Sequence, residues 1–544
     1  MTQKECGGST YGRLSSERLA LLVDGAAFAM ALEDIQRPFT VVRRDGKYTV
    51  GPPEFVGRDD FVGFVPACAM ESLGAQSFRD THGVRYAYVA GAMAGGIGSV
   101  EIVEAMGDAG MLGFFGAAGL SLGEIERAID RVQRSLDERA YGFNLIHTPA
   151  EPQLESAVVD LYLRRGVHLI EASAYLGLTT PLVRYRVHGI HQDASGRIVT
   201  PNRVIAKVSR VEVASQFFAP PPGRLLEKLV ASSDITLDEA KLACHIPVAQ
   251  DLTAEADSGG HTDNRPAIAL LPTFLSLRDR QQATFEFQDE LRVGAAGGIA
   301  TPQATAAAFT MGAAYVLTGS INQACVESGT STLVREMLAE AGQADITMAP
   351  APDMFEMGVK VQVLKRGTLF AMRGAKLYEL YTTYDSLETL PAKEQAQLEK
   401  SVFQAPIEEV WDETRTYFLE RDPSQVERAE SDPKHKMALV FRWYLGLASR
   451  WANSGEASRK LDFQIWCGPA MGAFNEWVRG SFLERPQNRR VVTIALNLLY
   501  GAATRLRTSS LQLQGIELPV DLSRIAPLQP GEMEERSRCV RTNV

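Results

Sequence analysis

Ala295-Ala296-Gly297-Gly298-Ile299 and, about twenty residues later, Val316-Leu317-Thr318-Gly319-Ser320 are two short apolar strands that each end in small residues. Between them, Pro302 to Met311 reads as an Ala-rich helix. Glycines leave backbone N–H groups unshielded, so a phosphate can rest against them and against the start of the following helix. Two consecutive strand ends of this kind describe the phosphate site after strands seven and eight of a (β/α)8 barrel. Gly297, Gly298, Gly319 and Ser320 are therefore candidate cofactor-binding residues.

Upstream the same grammar repeats. Tyr88-Val89-Ala90-Gly91 breaks into small residues, Val100 to Ala109 is helical, and Met111 to Phe115 runs into Gly116-Ala117-Ala118-Gly119. Helix 121–135 leads into strand 141–146, helix 152–165 into strand 168–170, and Arg203 to Val208 forms a later strand. Strands alternating with helices of ten to fifteen residues mean parallel β structure and an α/β fold. A Rossmann domain is the competitor, but no strand runs into Gly-x-Gly-x-x-Gly followed by an acidic residue about twenty positions on.

The chain has 544 residues, 45% hydrophobic, which exceeds one barrel and calls for further domains. The reading is a small α+β domain over 1–80, the barrel over 81–345, a helical domain over 353–485, a helix at 488–510 returning to the barrel, and a tail from 511 to 544. A helix around Ser16–Leu32 and a hairpin turning at Asp45-Gly46 occupy the first part, and a second hairpin, Gly189 to Pro201, is expected beside the barrel mouth. After Met348-Ala349-Pro350-Ala351-Pro352-Asp353 the pattern is helical almost throughout, and eight aromatics, among them Trp411, Trp443, Trp451 and Trp466, concentrate there. A net charge of −10 argues against general nucleic-acid binding. The six cysteines are scattered without CxxC pairs, so neither zinc nor a disulfide frame is expected. With no signal peptide and no apolar run long enough to span a bilayer, the expected location is the cytoplasm.

Several strings carry a family likeness: His82-Gly83-Val84-Arg85, Gly110 to Leu120, Phe143-Asn144-Leu145, Ile465-Trp466-Cys467-Gly468-Pro469-Ala470-Met471-Gly472, and above all Glu255-Ala256-Asp257-Ser258-Gly259-Gly260-His261-Thr262-Asp263. Their order resembles flavin-dependent barrel enzymes that include FMN enoyl-acyl-carrier-protein reductases and nitronate monooxygenases. Within these the chain closely resembles the PfaD-type, trans-acting enoyl reductases of polyunsaturated fatty acid and polyketide synthases, over roughly residues 60 to 510. Ala67-Cys68-Ala69-Met70-Glu71 departs from the aromatic-rich sequence expected there.

The resemblance implies bound FMN, reduction by NADPH or NADH, and a hydride passed to the double bond of an acyl chain on an acyl carrier protein. A homodimer is compatible with it, and nitronate oxidation is the alternative. The FMN phosphate is expected on Gly297, Gly298, Gly319 and Ser320, and the ring against Gly91, Ala92 and Met93. Asn144 suits the polar edge of the ring, and Lys207 places a positive charge near it. Asp257, Ser258, Gly259 and Gly260 bring the backbone close, and His261 is the candidate acid, flanked by Asp257 and Asp263. The helical domain is expected to close over the mouth, with Arg485, Arg489, Arg490, Arg505 and Arg507 receiving the acidic carrier.

Overall fold

A computed structural model describes residues 25–149, 151–260, 262–516, 518 and 525–538. Eight parallel strands close a barrel: β1 (Tyr88–Ala90), β2 (Leu112–Phe115), β3 (Gly142–Ile146), β4 (Leu169–Ser173), β5 (Arg203–Val208), β6 (Asp251–Glu255), β7 (Arg292–Ala296) and β8 (Val316–Thr318). Each pairs with the next in sequence, and β8 returns to β1 through Val316↔Tyr88 and Thr318↔Ala90. The interior is packed by Val89, Leu112, Phe114, Leu169, Ile205, Ala296, Tyr315 and Leu317. It is a filled core, as side-chain layers from alternate strands require.

Local chemistry sets the elements between strands. Ser121 accepts from the Glu124 N–H while Glu124 bonds back to the Ser121 N–H, a capping box that starts helix Leu122–Leu136. At the floor of the N-terminal face, Asp251 accepts two bonds from Arg292, at 2.6 and 2.9 Å, and lies 2.9 Å from His82 Nε2. Burial works against its charge, but these partners hold the Asp251 carboxyl well below the usual carboxylate range.

Two expectations change. The hairpin pairing His191–Gln192 with Ile198–Val199 does turn at Gly196, but Arg197 pairs with Asp289 at 2.5 Å and the Ile198 N–H donates to Gln288 at 3.2 Å. Those partners lead into β7, so the hairpin lies at the N-terminal end of the barrel and not at its mouth. A connection that feeds the start of β5 has to lie there. The segment after Asp353 is also not helical from its outset, because it begins with the strand Lys360–Leu364. Ile346–Pro350 and Lys360–Leu364 form an antiparallel pair, as the alternation Lys-Val-Gln-Val-Leu favours. Helices follow from Phe370 to Ser454, and their core joins Phe355, Phe370, Leu377, Met437, Phe441 and Tyr444.

A second compact unit combines the described residues up to Met70 with those from Leu499 on. Its antiparallel sheet orders Lys47–Gly51, Phe39–Arg44 and Phe61–Val65, and Asp45 and Gly46 turn the hairpin at φ 49° and 77°. Of the helix expected over 16–32, Gly25–Glu33 is described. The helix expected to return to the barrel runs Val491–Leu513, and Leu511 packs with Phe28, Phe39 and Val65 of this unit.

Candidate functional site

At the C-terminal ends of the strands, one cleft encloses about 1070 Å³ of non-protein space, partly open to solvent. Gly297, Gly298, Gly319 and Ser320 line it, as do Gly91, Ala92 and Met93 at the adjoining end of β1. Asn144, Lys207, Ser258, Gly259 and Gly260 complete its floor and side. Residues scattered over more than two hundred positions are thus brought together by the barrel.

Gly297 and Gly298 lie at φ 84° and 78°, a left-handed region that L side chains rarely adopt. A Cβ on Gly297 would meet the Ala256 backbone at 2.7 Å, whereas one on Gly298 or Gly319 meets nothing within 4 Å. The first glycine is required by packing, and the other two leave open space.

The floor is polar and charged. Lys207 Nζ stands 3.5 Å from Glu255 and 3.7 Å from Glu171. Burial opposes its charge, but Glu255 and Glu171 outweigh burial and hold the ammonium above its ordinary value. Glu171 is fully buried, and burial, only partly offset by Lys207, pushes its carboxyl up. Its Oε2 accepts from the Ala92 N–H at 3.1 Å. Asn144 Nδ2 donates to the Glu171 carbonyl and to Ser173 Oγ, both at 3.0 Å, which ties β3 to β4.

Three groups of expected site residues have structural partners. Asp257 does not line the cleft; it accepts from Gln362 at 2.5 Å and Asn264 at 3.1 Å, fastening its loop to the strand Lys360–Leu364. Asp263 is taken up by two 2.8 Å bonds from Arg210. The arginine patch is largely structural: Arg489 is buried and donates to the Leu483 and Glu484 carbonyls, and Arg507, in the other unit, is buried and donates to the carbonyls of Pro66, Ala31 and Arg37. Arg490 is exposed and 3.6 Å from Glu327. His261 lies outside the described residues.

Sequence reasoning gave no site role to Glu171, Glu255, Ala174 or Trp466, although Glu255 and Trp466 lie in its family-like strings. Ala174 lines the cleft at φ 61°, a strained non-glycine conformation of the kind that gathers at functional sites. Trp466 and Ala470 arrive from beyond the helices. Their segment is pressed onto the loop after β6, since a Cβ on Gly259 would meet Cys467 N at 3.0 Å, and the Gly468 N–H donates to Ser320 Oγ at 3.2 Å.

The model of the nitronate monooxygenase family matches residues 76–383. The chain belongs to that family. A second model, the inserted helical domain of [acyl-carrier-protein] S-malonyltransferase, matches 384–463. Among curated relatives of this nitronate monooxygenase family member, a polyunsaturated fatty acid synthase polypeptide of Thraustochytrium sp. is 48% identical over 82% of the chain and 30% of its own length. Polyketide biosynthesis protein PksE of Bacillus subtilis is 48% identical over 80% of the chain and 57% of its own length. The chain therefore spans between about a third and just over half of these proteins. The solved enoyl reductase domain of MlnA, from the macrolactin cluster of Bacillus amyloliquefaciens, is 41% identical with a TM-score of 0.78, covering 82% of this chain and all of that one.

Among the described residues, no cluster of His, Cys, Asp and Glu could hold a metal ion, and no helix is long and apolar enough to cross a membrane.

Proposed function

We propose that the chain is an enoyl-thioester reductase that holds FMN noncovalently in the cleft, draws on NADPH or NADH, and acts in trans on acyl chains carried by the acyl carrier protein of a polyketide or polyunsaturated fatty acid synthase. The observation that supports this most is the glycine cradle at the ends of β7 and β8, in a chain that matches an enoyl reductase domain over that domain's whole length. The helical segment matching an acyl-carrier-protein transferase insert agrees with a carrier-borne substrate.

The residues present fit FMN. The open space at Gly298 and Gly319 leaves room for a phosphate on the N–H groups of Gly297, Gly298, Gly319 and Ser320. Gly91, Ala92 and Met93 would back the ring, and Asn144 and Lys207 would meet its polar edge. When bound, FMN supplies hydride transfer between the nicotinamide and the β-carbon of the enoyl thioester.

The protein's share is position and charge. Lys207, kept cationic by the Glu255 carboxylate 3.5 Å away, stabilises negative charge at the floor of the site. Gly259 and Gly468 hold the wall closed beside Ser258, whose hydroxyl donates to Glu255 at 3.2 Å and steadies that counter-ion. His261, next in the chain to Gly260, is the acid proposed to protonate the α-carbon as charge gathers on the thioester oxygen.

His261→Ala is expected to leave NADPH-driven bleaching of the flavin near normal while slowing its reoxidation by enoyl thioester roughly 10²–10⁴-fold. Equal slowing of both half-reactions, with flavin retained, refutes the acid role, and acid-released cofactor that chromatographs as FAD refutes the FMN assignment. Oxidation of small nitronates by O2 is the second reading, favoured by the family match alone. Anaerobic, enoyl-thioester-dependent NADPH oxidation separates the two.

A further inference from the structure

Three successive strands each point one charged side chain into the top of the barrel. Ile205 pairs with Glu171, and Lys207 lies two residues beyond it; Lys207 pairs with Thr253, and Glu255 lies two residues beyond that. The charges therefore climb one pleat per strand and meet on one side of the floor, carboxylate, ammonium, carboxylate.

One cation cannot neutralise two buried carboxylates, and the two are not equivalent. Glu255 has the closer approach to Lys207, 3.5 against 3.7 Å, and Oε1 of Glu255 also accepts from Ser258 Oγ. Glu171 has no exposure at all, and its Oε1 has no hydrogen-bond partner. A buried charged oxygen without a donor costs at least about 1–3 kcal/mol. Among the described residues no second cation pairs with Glu171: Asn144 Nδ2 is spent on the Glu171 main-chain carbonyl and on Ser173, Tyr315 is bonded to Thr253, and Arg292 is committed to Asp251. A proton on Oε1 removes the charge and leaves Oε2 to accept from the Ala92 N–H.

We propose that Glu171 carries a proton on Oε1 while Glu255 is the counter-ion of Lys207, so that the floor of the cleft is electrically neutral and Glu171 is the positioning residue that joins Lys207 to the Ala92 end of β1. The protonation state stands on the protein alone; its effect on flavin affinity rests on the function proposed above. Removing either carboxylate leaves the other to pair with Lys207, so the site tolerates one loss and not two.

The test is infrared difference spectroscopy of protein carrying isotope-labelled glutamate, as apoprotein and with FMN, at neutral pH. The wild type is expected to show a protonated-carboxyl stretch that Glu171→Gln removes. Glu255→Gln is expected to remove it as well, because Glu171 then ionises against Lys207, and a purely structural Glu171 would leave it in place. FMN titration of the apoproteins should show the double variant weakened more than tenfold beyond the sum of the singles. Absence of the band in the wild type overturns the proposal, without any variant having to fold. Additive losses overturn it too. If the band behaves as expected and neither FMN nor riboflavin binds, the protonated Glu171 stands and the flavin reading falls.

Discussion

Gly298→Ala separates a ligand cradle from an ordinary turn, and its neighbour is the control. Both glycines lie at positive φ, where a Cβ costs about 1–2 kcal/mol. At Gly297 the new Cβ also overlaps the Ala256 backbone at 2.7 Å, so Gly297→Ala must displace the loop after β6 and is expected to cost roughly 3–5 kcal/mol of stability. At Gly298 no atom lies within 4 Å, so only the backbone strain remains. If the open space takes the phosphate, a methyl group there removes charge-assisted hydrogen bonds of about 1.5–3 kcal/mol each. Losing one or two of them weakens FMN by roughly 10 to 10⁴-fold. Urea unfolding of the apoproteins reads the first quantity, and titration by flavin fluorescence reads the second. Riboflavin has no phosphate and should lose far less affinity than FMN. The larger Gly298→Val is expected to be folded and colourless. The cradle is refuted if Gly298→Ala binds FMN within about threefold of wild type, or if FMN and riboflavin weaken equally.

Arg489→Ala should lower unfolding stability by roughly 2–4 kcal/mol, since it removes a buried guanidinium bonded to two carbonyls. Arg490→Glu, at an exposed site, should change it by less than about 1 kcal/mol. If Arg489→Ala raises the KM for carrier-bound substrate at unchanged stability, the structural assignment is wrong. Acid should destabilise the apoprotein in two steps. His82 is depressed below 6.5 by burial, so the stability of its neutral form is lost as pH falls below that value; Asp251 is held below 3.8, so its contribution is lost as pH falls through and under 3.8. His82→Gln should erase the upper step in melting temperature against pH and spare the lower one; an unchanged profile would remove His82 from the account.

The barrel and its phosphate end were legible because both are backbone matters. Strand length, glycine placement and helix spacing are local, and the reading of 152–165 and 203–208 agrees with the helix and strand observed. The floor was half legible. Lys207 and Asn144 stand out at strand ends, but the strand read as 168–170 stops one residue short of Glu171, which sits inside β4. A glutamate at an inward position of an apolar parallel strand is itself the missing signal, because such a charge is buried only with a partner. The partner, Lys207, lies thirty-six positions on, where sequence spacing says nothing and only strand register decides. The arginine cluster failed for the opposite reason. Consecutive arginines look solvated, yet Arg489 turns inward to satisfy two carbonyls of the short turn Phe482–Glu484, which one-dimensional charge counting cannot show.

How Trp466 reaches the cleft explains what a helical insert does for a barrel of this kind. The strand Lys360–Leu364 leaves the barrel with Gln362 bonded to Asp257, and the chain returns a hundred residues later with Trp466 bridged antiparallel to Val363. Departure and return are therefore adjacent, and both are fixed to the loop after β6, through Asp257 on one side and Gly259 on the other. Everything between them, including the stretch that matches the acyl-carrier-protein transferase insert, is mounted on the Val363–Trp466 bridge, whose Trp466 lines the cleft. Glycines at 259 and 468 are the condition for that mounting, since a Cβ at either position would stand about 3.0 Å from the other segment's backbone. The same loop carries Ser258 to Glu255, so the wall that supports the helices also orders the counter-ion of Lys207.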